Sequence, residues 1–239
     1  MYDARVGIIS EGPLDQLLIS RIISAEFPDQ SFVFIGVSPT DDEIGAGMKE
    51  EGFGWGGVYK VCKHLKEKLE ILKATGMCFD ILVIHIDGDV MMMTYESARI
   101  IKEVEDGILP CFKAENSVAE NCIQLMKVVD SWNKEKELKR VYCIPHINSD
   151  VWAAYALYEN HRTAISEKMT KEELEKFLLQ RGKREGKLIR KHNNRIRKEA
   201  RTYKIAVNAI TNELIQEMKN QFDQLKLFCM NVSELINEV

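Results

Sequence analysis

Four carboxylates stand in two short motifs whose spacing suits metal chemistry. Glu11 and Asp15 are four residues apart, so a helix would place them on one face. Asp87 and Asp89 flank Gly88, and alternation about this glycine lets both side chains converge. Clustered oxygen ligands without thiolate or imidazole are those that Mg²⁺ or Mn²⁺ prefers. The sequence therefore predicts a metal site for chemistry on phosphate groups, because such an ion activates water and neutralises phosphoryl charge.

Each acidic motif directly follows a segment with the pattern of a buried strand. Short β-branched or apolar runs predict strands, and apolar residues at helical spacing predict helices between them. The predicted strands cover residues 5–10, 31–37, 80–86 and 140–144, and the predicted helices cover 14–23, 58–73, 94–104 and 117–137. This alternation indicates an α/β fold with an open, mainly parallel sheet sandwiched by helices. Ligands bind at the carboxyl ends of such strands, where the four carboxylates should meet.

The C-terminal third has a helical pattern throughout. Helices are predicted at residues 171–179, through the basic segment 181–204, and at 205–228. The expected organisation is an α/β catalytic domain over residues 1–160 and a helical extension over 161–239. The amphipathic stretch 205–228 could dock a partner protein or cover the sheet, and the second role is favoured.

Composition limits the class of protein. A chain of 239 residues with 45% apolar and 29% charged residues suits one globular core with one catalytic site. Its apolar runs are too short for a membrane helix and no signal peptide opens it, so a cytoplasmic location without membrane contact is expected. Six cysteines are scattered without CxxC spacing, which predicts reduced, mostly buried thiols rather than a zinc site.

Positive charge is concentrated in one segment of an acidic chain. Residues 181–204 contain eleven Lys or Arg against two Glu, a net +9, so the remainder carries −13. Such a segment predicts binding to a polyanion, and a solvated helix face is the alternative. The predicted nucleic-acid contacts are Arg184, Lys187, Arg190, Lys191, Arg195, Arg197, Lys198 and Arg201.

The two acidic motifs together resemble the Toprim family, the metal-binding domain of topoisomerases, bacterial primases and OLD-type (overcoming lysogenization defect) nucleases. The resemblance rests on residues 8–15 (IISEGPLD) and 84–89 (IHIDGD). It implies that Glu11 is a metal ligand or general acid/base and that Asp87 and Asp89 hold Mg²⁺. The Glu-Gly-x-x-Asp form, with Asp15, is more similar to primases and OLD-type nucleases than to topoisomerases.

A second resemblance covers more of the chain. Small bacterial proteins related to OLD-type Toprim enzymes are similar in a glycine-rich loop (52–57), an acid-x-Trp step (150–152) and a lysine on a C-terminal helix (203–204). The resemblance implies that Asp150 helps bind a second metal ion and that Lys204 stabilises the charge of the transition state. The family usually has Glu where this chain has the shorter Asp150.

Several further residues have two interpretations. The glycine-rich loop could approach phosphate or act as a flap. His146 could assist proton transfer or cap a turn, and Trp55 could stack a base or pack internally. His85 and Trp152 are predicted to be core residues.

The leading functional prediction is a metal-dependent nuclease that hydrolyses phosphodiester bonds of DNA or RNA with a metal-bound water. The resemblance suggests a role in bacterial defence against phage, and it leaves open a partner ATPase or self-association. One alternative is a phosphatase of the haloacid-dehalogenase type, whose nucleophile motif fits residues 87–90. Another is a catalytically silent Toprim module that binds nucleic acid or a partner protein.

Overall fold

A four-stranded parallel sheet forms the centre of the protein. The computed structural model describes residues 3–40, 54–135, 137–181, 186–193 and 195–237, apart from the side chain of Arg195. The strands are β1 (Ala4–Ile9), β2 (Phe32–Ser38), β3 (Ile81–His85) and β4 (Arg140–Cys143), in the order β2-β1-β3-β4. All three neighbouring pairs are parallel, which confirms the predicted α/β fold with an open parallel sheet.

Helices connect the strands and continue through the C-terminal third. They are α1 (Pro13–Glu26), α2 (Trp55–Lys63), α3 (Leu65–Ala74), α4 (Val118–Trp132), α5 (Asp150–Leu157), α6 (Lys171–Gln180), α7 (Ala200–Asn208), α8 (Asn212–Gln221) and α9 (Asp223–Ile236). Pro13 opens α1, where its missing N–H leaves no hydrogen bond unmade. A capping box between Ser117 and Glu120 starts α4. Local residue chemistry therefore sets these two helix starts.

The helix predicted at residues 94–104 is wrong. The chain there forms only a single 3₁₀ turn, Tyr95–Ala98, which ends at Arg99 in the left-handed region with φ of 56°. Ile101 and Val104 are exposed rather than buried in a stripe. Tyr95 and Ile100 are buried in the second core, but the apolar residues after them do not continue a buried face, and apolar spacing alone does not hold a helix.

Each face of the sheet carries its own hydrophobic core. Ile81 and Val83 of β3 point into one core, and Leu82 and Ile84 point into the other, as expected for a central strand covered on both faces. The first core is completed by α1 and α5 to α9, and the second by α2 to α4. The C-terminal helices therefore cover the sheet, as the sequence favoured, but as three helices in place of the single stretch 205–228.

The predicted helix through the basic segment is wrong over residues 189–198. This part forms an antiparallel hairpin of β5 (Ile189–His192) and β6 (Arg195–Lys198), with Ile189 opposite Lys198. Asn193 in the turn has φ of 47°, a conformation that asparagine tolerates better than most residues. The hairpin packs against α6 and buries Ile189.

The cysteines and the lengths of the apolar helices bear on two expectations from the sequence. All six cysteines are free, and four of them are buried, as predicted. No helix in the described part of the chain combines the length and apolar character that crossing a bilayer requires.

Candidate active site

The strand order places the acidic motifs at the point where the direction of the connections changes. From the central pair β1 and β3, the sheet extends to β2 on one side and β4 on the other, which opens a crevice at the strand ends. Glu11 follows β1, Asp87 follows β3, and Asp150 begins the helix after β4. A cavity of about 300 Å³ in this crevice is lined by Glu11, Gly12, Pro13, Leu14, Asp15, Gly54, Asp87 and Lys198.

Glu11 joins the ends of the two central strands. Its Oε1 accepts a hydrogen bond of 2.8 Å from the backbone N–H of Asp87, and its carbonyl oxygen accepts one of 2.8 Å from Gly54. Burial raises the pKa of Glu11 to about 8, and the charges of Asp15 and Asp89 raise it further, against the opposing effect of the Asp87 N–H. Glu11 is therefore a carboxyl that holds its proton unless a cation lies beside it.

Ser149 connects two of the other carboxylates. Its backbone N–H donates to Asp87 Oδ1 at 3.0 Å, and its hydroxyl donates to Asp15 Oδ1 at 3.0 Å. Ser149 is 1% exposed, so these hydrogen bonds are made in an environment that strengthens them. The sequence reasoning missed this residue, although its place directly before Asp150 at a helix start was a usable signal.

Gly88 lets the loops after β3 and β4 lie in contact. A Cβ at this position would overlap the backbone carbonyl oxygens of Pro145 and His146. The backbone N–H of Asp89 also donates to the carbonyl of Ile147 at 3.0 Å. The glycine between the two aspartates is thus required by close backbone packing, which sets the positions of both carboxylates.

Two lysines enter the acidic cluster. Lys198 Nζ lies 2.8 Å from Asp15 Oδ1 and 2.8 Å from Asp150 Oδ1, and Lys171 Nζ lies 2.7 Å from Asp89 Oδ2. Burial acts to lower the pKa of Lys198, but the charges of Asp15 and Asp150 outweigh it and hold this pKa well above its usual range. Lys204, the lysine that the resemblance implied, is instead exposed on α7 and does not line the cavity.

His85 is fully buried beside the site. Its Nε2 lies 3.5 Å from Asp87 Oδ1, and neither ring nitrogen has a hydrogen-bond partner among the described residues. Burial lowers the pKa of His85 to about 4, so the ring is neutral near pH 7. The predicted core histidine is buried as expected, but it also contacts the carboxylate cluster.

The cluster carries more negative charge than its lysines neutralise. Five carboxylates, those of Glu11, Asp15, Asp87, Asp89 and Asp150, share the ammonium groups of Lys171 and Lys198, which leaves three negative charges uncompensated if all are ionised. Burial and the charge of Glu11 raise the pKa of Asp87 well above its usual value. For Asp15 burial has the same tendency, but Lys198 outweighs it and the pKa is lowered. A cation in the crevice would relieve this repulsion.

The donor chemistry suits a divalent ion, whereas the present side-chain arrangement is not a closed metal cage. All available donors are carboxylate oxygens, which hard cations prefer. Among the described residues, no three His, Cys, Asp or Glu side chains converge as a group that would hold a metal ion. The lysine pairs explain this, because they occupy oxygens of Asp15, Asp89 and Asp150. Glu11 and Asp87 have no lysine partner within ion-pair distance among these residues.

The side chains of the remaining predicted site residues make their contacts with residues outside the cluster. His146 Nδ1 bonds the carbonyl oxygen of Glu167 at 2.6 Å. Trp55 stacks on Trp132 with ring centroids 6.2 Å apart. Trp152 is fully buried, as predicted. In the glycine-rich loop, residues 52 and 53 lie outside the described residues.

The basic residues predicted to bind nucleic acid are spread over the hairpin and its surroundings. Arg190, Lys191 and Arg197 are exposed on the hairpin, Arg201 is exposed on α7, and Lys187 is half-buried. Arg184 and the side chain of Arg195 lie outside the described residues. Of the members that the structure describes, only Lys198 pairs with carboxylates of the acidic cluster. The hairpin thus has exposed cations on a strand whose last residue reaches the acidic cluster.

No protein-family model, no curated protein and no solved structure matches the chain. The functional argument therefore rests on the chemistry of the cavity. That cavity combines the carboxyl groups of Glu11, Asp15 and Asp87 with Lys198 and the N-terminal end of α1, a set whose chemistry suits a divalent cation together with a phosphate group.

Proposed function

We propose that this protein is a divalent-metal-dependent phosphodiesterase that hydrolyses nucleic acid at the ends of β1 and β3. The observation that carries the proposal is the cluster of five carboxyl groups at the strand ends that share only two lysine ammonium groups among the described residues, beside an exposed basic hairpin. The resemblance of both acidic motifs to Toprim enzymes supports the same reaction class.

Glu11, Asp87 and Asp89 are the residues that would hold the ion. Their hydrogen bonds and ion pair use Glu11 Oε1, Asp87 Oδ1 and Asp89 Oδ2, so the second oxygen of each carboxylate is free of these contacts. A bound Mg²⁺ or Mn²⁺ would supply an activated water and neutralise charge on the phosphoryl oxygens. Its charge would also favour the ionised forms of Glu11 and Asp87.

The chain itself offers positive groups for the phosphate. Gly12, Pro13 and Leu14 line the cavity at the start of α1, where the helix dipole favours an anion. Lys198 lines the same cavity with its side chain 27% exposed, so a phosphate oxygen can reach it. These groups would position the phosphate against the carboxylate-bound ion.

The hairpin provides a surface for the rest of the nucleic acid. Arg190 lies directly opposite Arg197 across the two strands, an unfavourable pairing of like charges that a polyanion would relieve. Glu199 compensates only Arg190, at 3.3 Å. Exposed Lys191, opposite Ile196, adds positive charge on the other face of the hairpin. A nucleic-acid backbone on this surface would be close to the cavity because β6 ends at Lys198.

The two alternative functions leave parts of the cluster without a role. A phosphatase of the haloacid-dehalogenase type would use Asp87 as its nucleophile, but it would give no role to Glu11, which accepts the Asp87 N–H. A silent binding module would not need the uncompensated carboxylates of Glu11 and Asp87. The metal-dependent phosphodiesterase accounts for both features.

The test is cleavage of plasmid, single-stranded DNA and total RNA by the full chain with Mg²⁺ or Mn²⁺, compared with chelator. Glu11→Gln and Asp87→Asn should each abolish cutting, and Glu234→Gln, an equivalent change on the exposed surface of α9, should not. Cutting that survives both site changes would refute the proposal. Turnover of a phosphate monoester without cleavage of any nucleic acid would favour the phosphatase instead.

A further inference from the structure

Lys198 has the surroundings of a bound cation rather than those of a surface ion pair. Its ammonium lies 2.8 Å from Asp15 Oδ1, 2.8 Å from Asp150 Oδ1 and 5.3 Å from the centre of the Tyr203 ring. Both aspartates are more than nine-tenths buried. The ion pair with Lys198 is the compensation for Asp150 Oδ1, which is buried and makes no hydrogen bond of good geometry among the described residues.

Lys171 offers an internal comparison. It pairs with a single carboxylate, Asp89, and its side chain is 42% exposed, against 27% for Lys198. Removal of Lys171 leaves one buried negative charge, on Asp89, without its counter-ion, whereas removal of Lys198 leaves two, on Asp15 and Asp150.

We infer that the Lys198 ammonium takes the place of a second cation, so that the native site accepts one divalent ion, at Glu11, Asp87 and Asp89. The inference rests on the proposed function for the identity of that ion. It reassigns Asp15 and Asp150, which the sequence predicted as metal ligands, to the lysine. Lys198 then keeps these two aspartates in place and still presents a positive charge to the cavity.

If Lys198 takes the place of a cation, removal of its charge should change the number of divalent ions that the protein binds. In Lys198→Met, Asp15 and Asp150 lose their counter-ion while both carboxylates stay in the crevice, and a divalent ion from solution should replace it. Lys171→Met is the matched control, because it removes the same charge from the same cluster. It should raise the affinity of the first ion several-fold without adding a second.

The experiment is titration of the full chain with Mn²⁺ in a calorimeter, with the bound ions counted for the native protein and both variants. The expected counts are one for the native protein, one for Lys171→Met and two for Lys198→Met. Equal counts for the native protein and Lys198→Met would overturn the inference, as would two ions in the native protein.

The outcomes separate this inference from the proposed function. Two ions in the native protein would overturn the inference and leave a metal-dependent nuclease intact. No ion in the native protein but one in Lys198→Met would support the replacement of a cation by Lys198, but it would overturn the ion at Glu11, Asp87 and Asp89 and remove the metal from the proposed function. No ion in any of the three proteins would overturn both.

A folding control keeps the test decisive. Lys198→Met should have a lower Tm than the native protein in chelator, and Mn²⁺ should raise its Tm more than that of the native protein. Lys198→Gln, whose amide can still donate to one aspartate, serves if the methionine variant is unfolded, and Lys198→Arg should keep the native count. An unchanged count in folded Lys198→Gln would overturn the inference.

Discussion

Two clusters of buried aspartate with lysine, one beside α2 and one at the strand ends, differ in how their charges are balanced. In the cluster below α2, Asp106 accepts hydrogen bonds from the Tyr59 hydroxyl at 2.6 Å, the Glu103 N–H at 2.9 Å and Lys63 at 2.9 Å. Burial acts to raise the pKa of Asp106, but these hydrogen bonds outweigh it and hold the pKa below its usual range. One buried carboxylate thus has a full set of donors.

The cluster at the strand ends is the opposite case. Among the residues that the structure describes, no lysine pairs with Glu11 or Asp87, and the pKa values of both are raised rather than lowered. His85, whose ring nitrogens have no hydrogen-bond partner in this part of the chain, lies against Asp87 as a neutral ring and adds no charge to balance it. A buried carboxylate with complete compensation serves the fold, whereas a surplus of buried carboxylates costs stability and is kept where a ligand is bound.

The largest expected effect is on activity at the strand ends. Asp87→Asn should lower the rate of cleavage by about 10³-fold or more, because the ion loses a ligand and the charge that attracts it. The same change removes a buried carboxylate that is repelled by its neighbours, so the Tm should be unchanged or higher. Cleavage rate and thermal unfolding measured on the same sample test this pair of expectations. A parallel loss of folding would show that Asp87 is structural.

The reverse result is expected for the balanced cluster. Asp106→Asn should lower the free energy of unfolding by about 2 kcal/mol, because buried Lys63 keeps Glu103 but loses one of its two carboxylate partners, and the hydrogen bonds from Tyr59 and the Glu103 N–H lose an ionised acceptor. The cleavage rate per folded molecule should stay within about twofold, since the residue is remote from the crevice. Denaturant unfolding and rate measurements check this. Lys134→Ala, at an exposed ion pair with Glu105, is the control and should change stability by less than about 0.5 kcal/mol.

Glu167 tests whether a raised pKa alone marks a functional site. Burial raises the pKa of Glu167 to about 7, against the opposing hydrogen bond from the Gln224 N–H. Between pH 4.5 and 7, Glu167 is therefore protonated in the native state and ionised in the unfolded state. Stability should fall as the pH rises through this window, by on the order of 2 kcal/mol.

Glu167→Gln should flatten that slope and stabilise the protein at pH 8, without changing the cleavage rate. Unfolding followed between pH 4.5 and 8 provides the measurement. A steeper slope in the variant would contradict the assignment. A loss of activity would place Glu167 within the functional region.

The smallest effect on the folded protein is expected at the hairpin. Arg190→Ala with Arg197→Ala should change the free energy of unfolding by less than about 0.5 kcal/mol, since both side chains are exposed. Binding to an oligonucleotide should weaken, and the slope of log affinity against log salt should fall by roughly 2, because each arginine neutralises about one phosphate. Fluorescence anisotropy over a salt series measures this. Lys226→Ala on α9 should leave the slope unchanged, and an unchanged slope in the double variant would exclude the hairpin as the nucleic-acid surface.

The sequence predicted the elements whose conformation depends on neighbouring residues. It did not predict the segments whose residue spacing fits a helix and a strand equally well. The four strands were predicted because each is a short apolar run beside a turn, and the acidic motifs follow them directly. The hairpin was missed because Ile189 and Ile196 are seven residues apart, a spacing that also fits a helix. The break of residues 58–73 at His64 was also not predicted.

The sequence by itself determined that Glu11, Asp87 and Asp89 lie at strand ends, because the strands and their boundaries depend on neighbouring residues. Only the tertiary structure decided which lysine side chains reach the acidic cluster. Lys198 and Asp15 are 183 residues apart, and their contact requires α7, the hairpin and α1 to pack on one face of the sheet. Ser149 between Asp15 and Asp87 depends on the same packing. Such contacts follow from the complete core, whereas residue spacing reports only on a segment's own conformation.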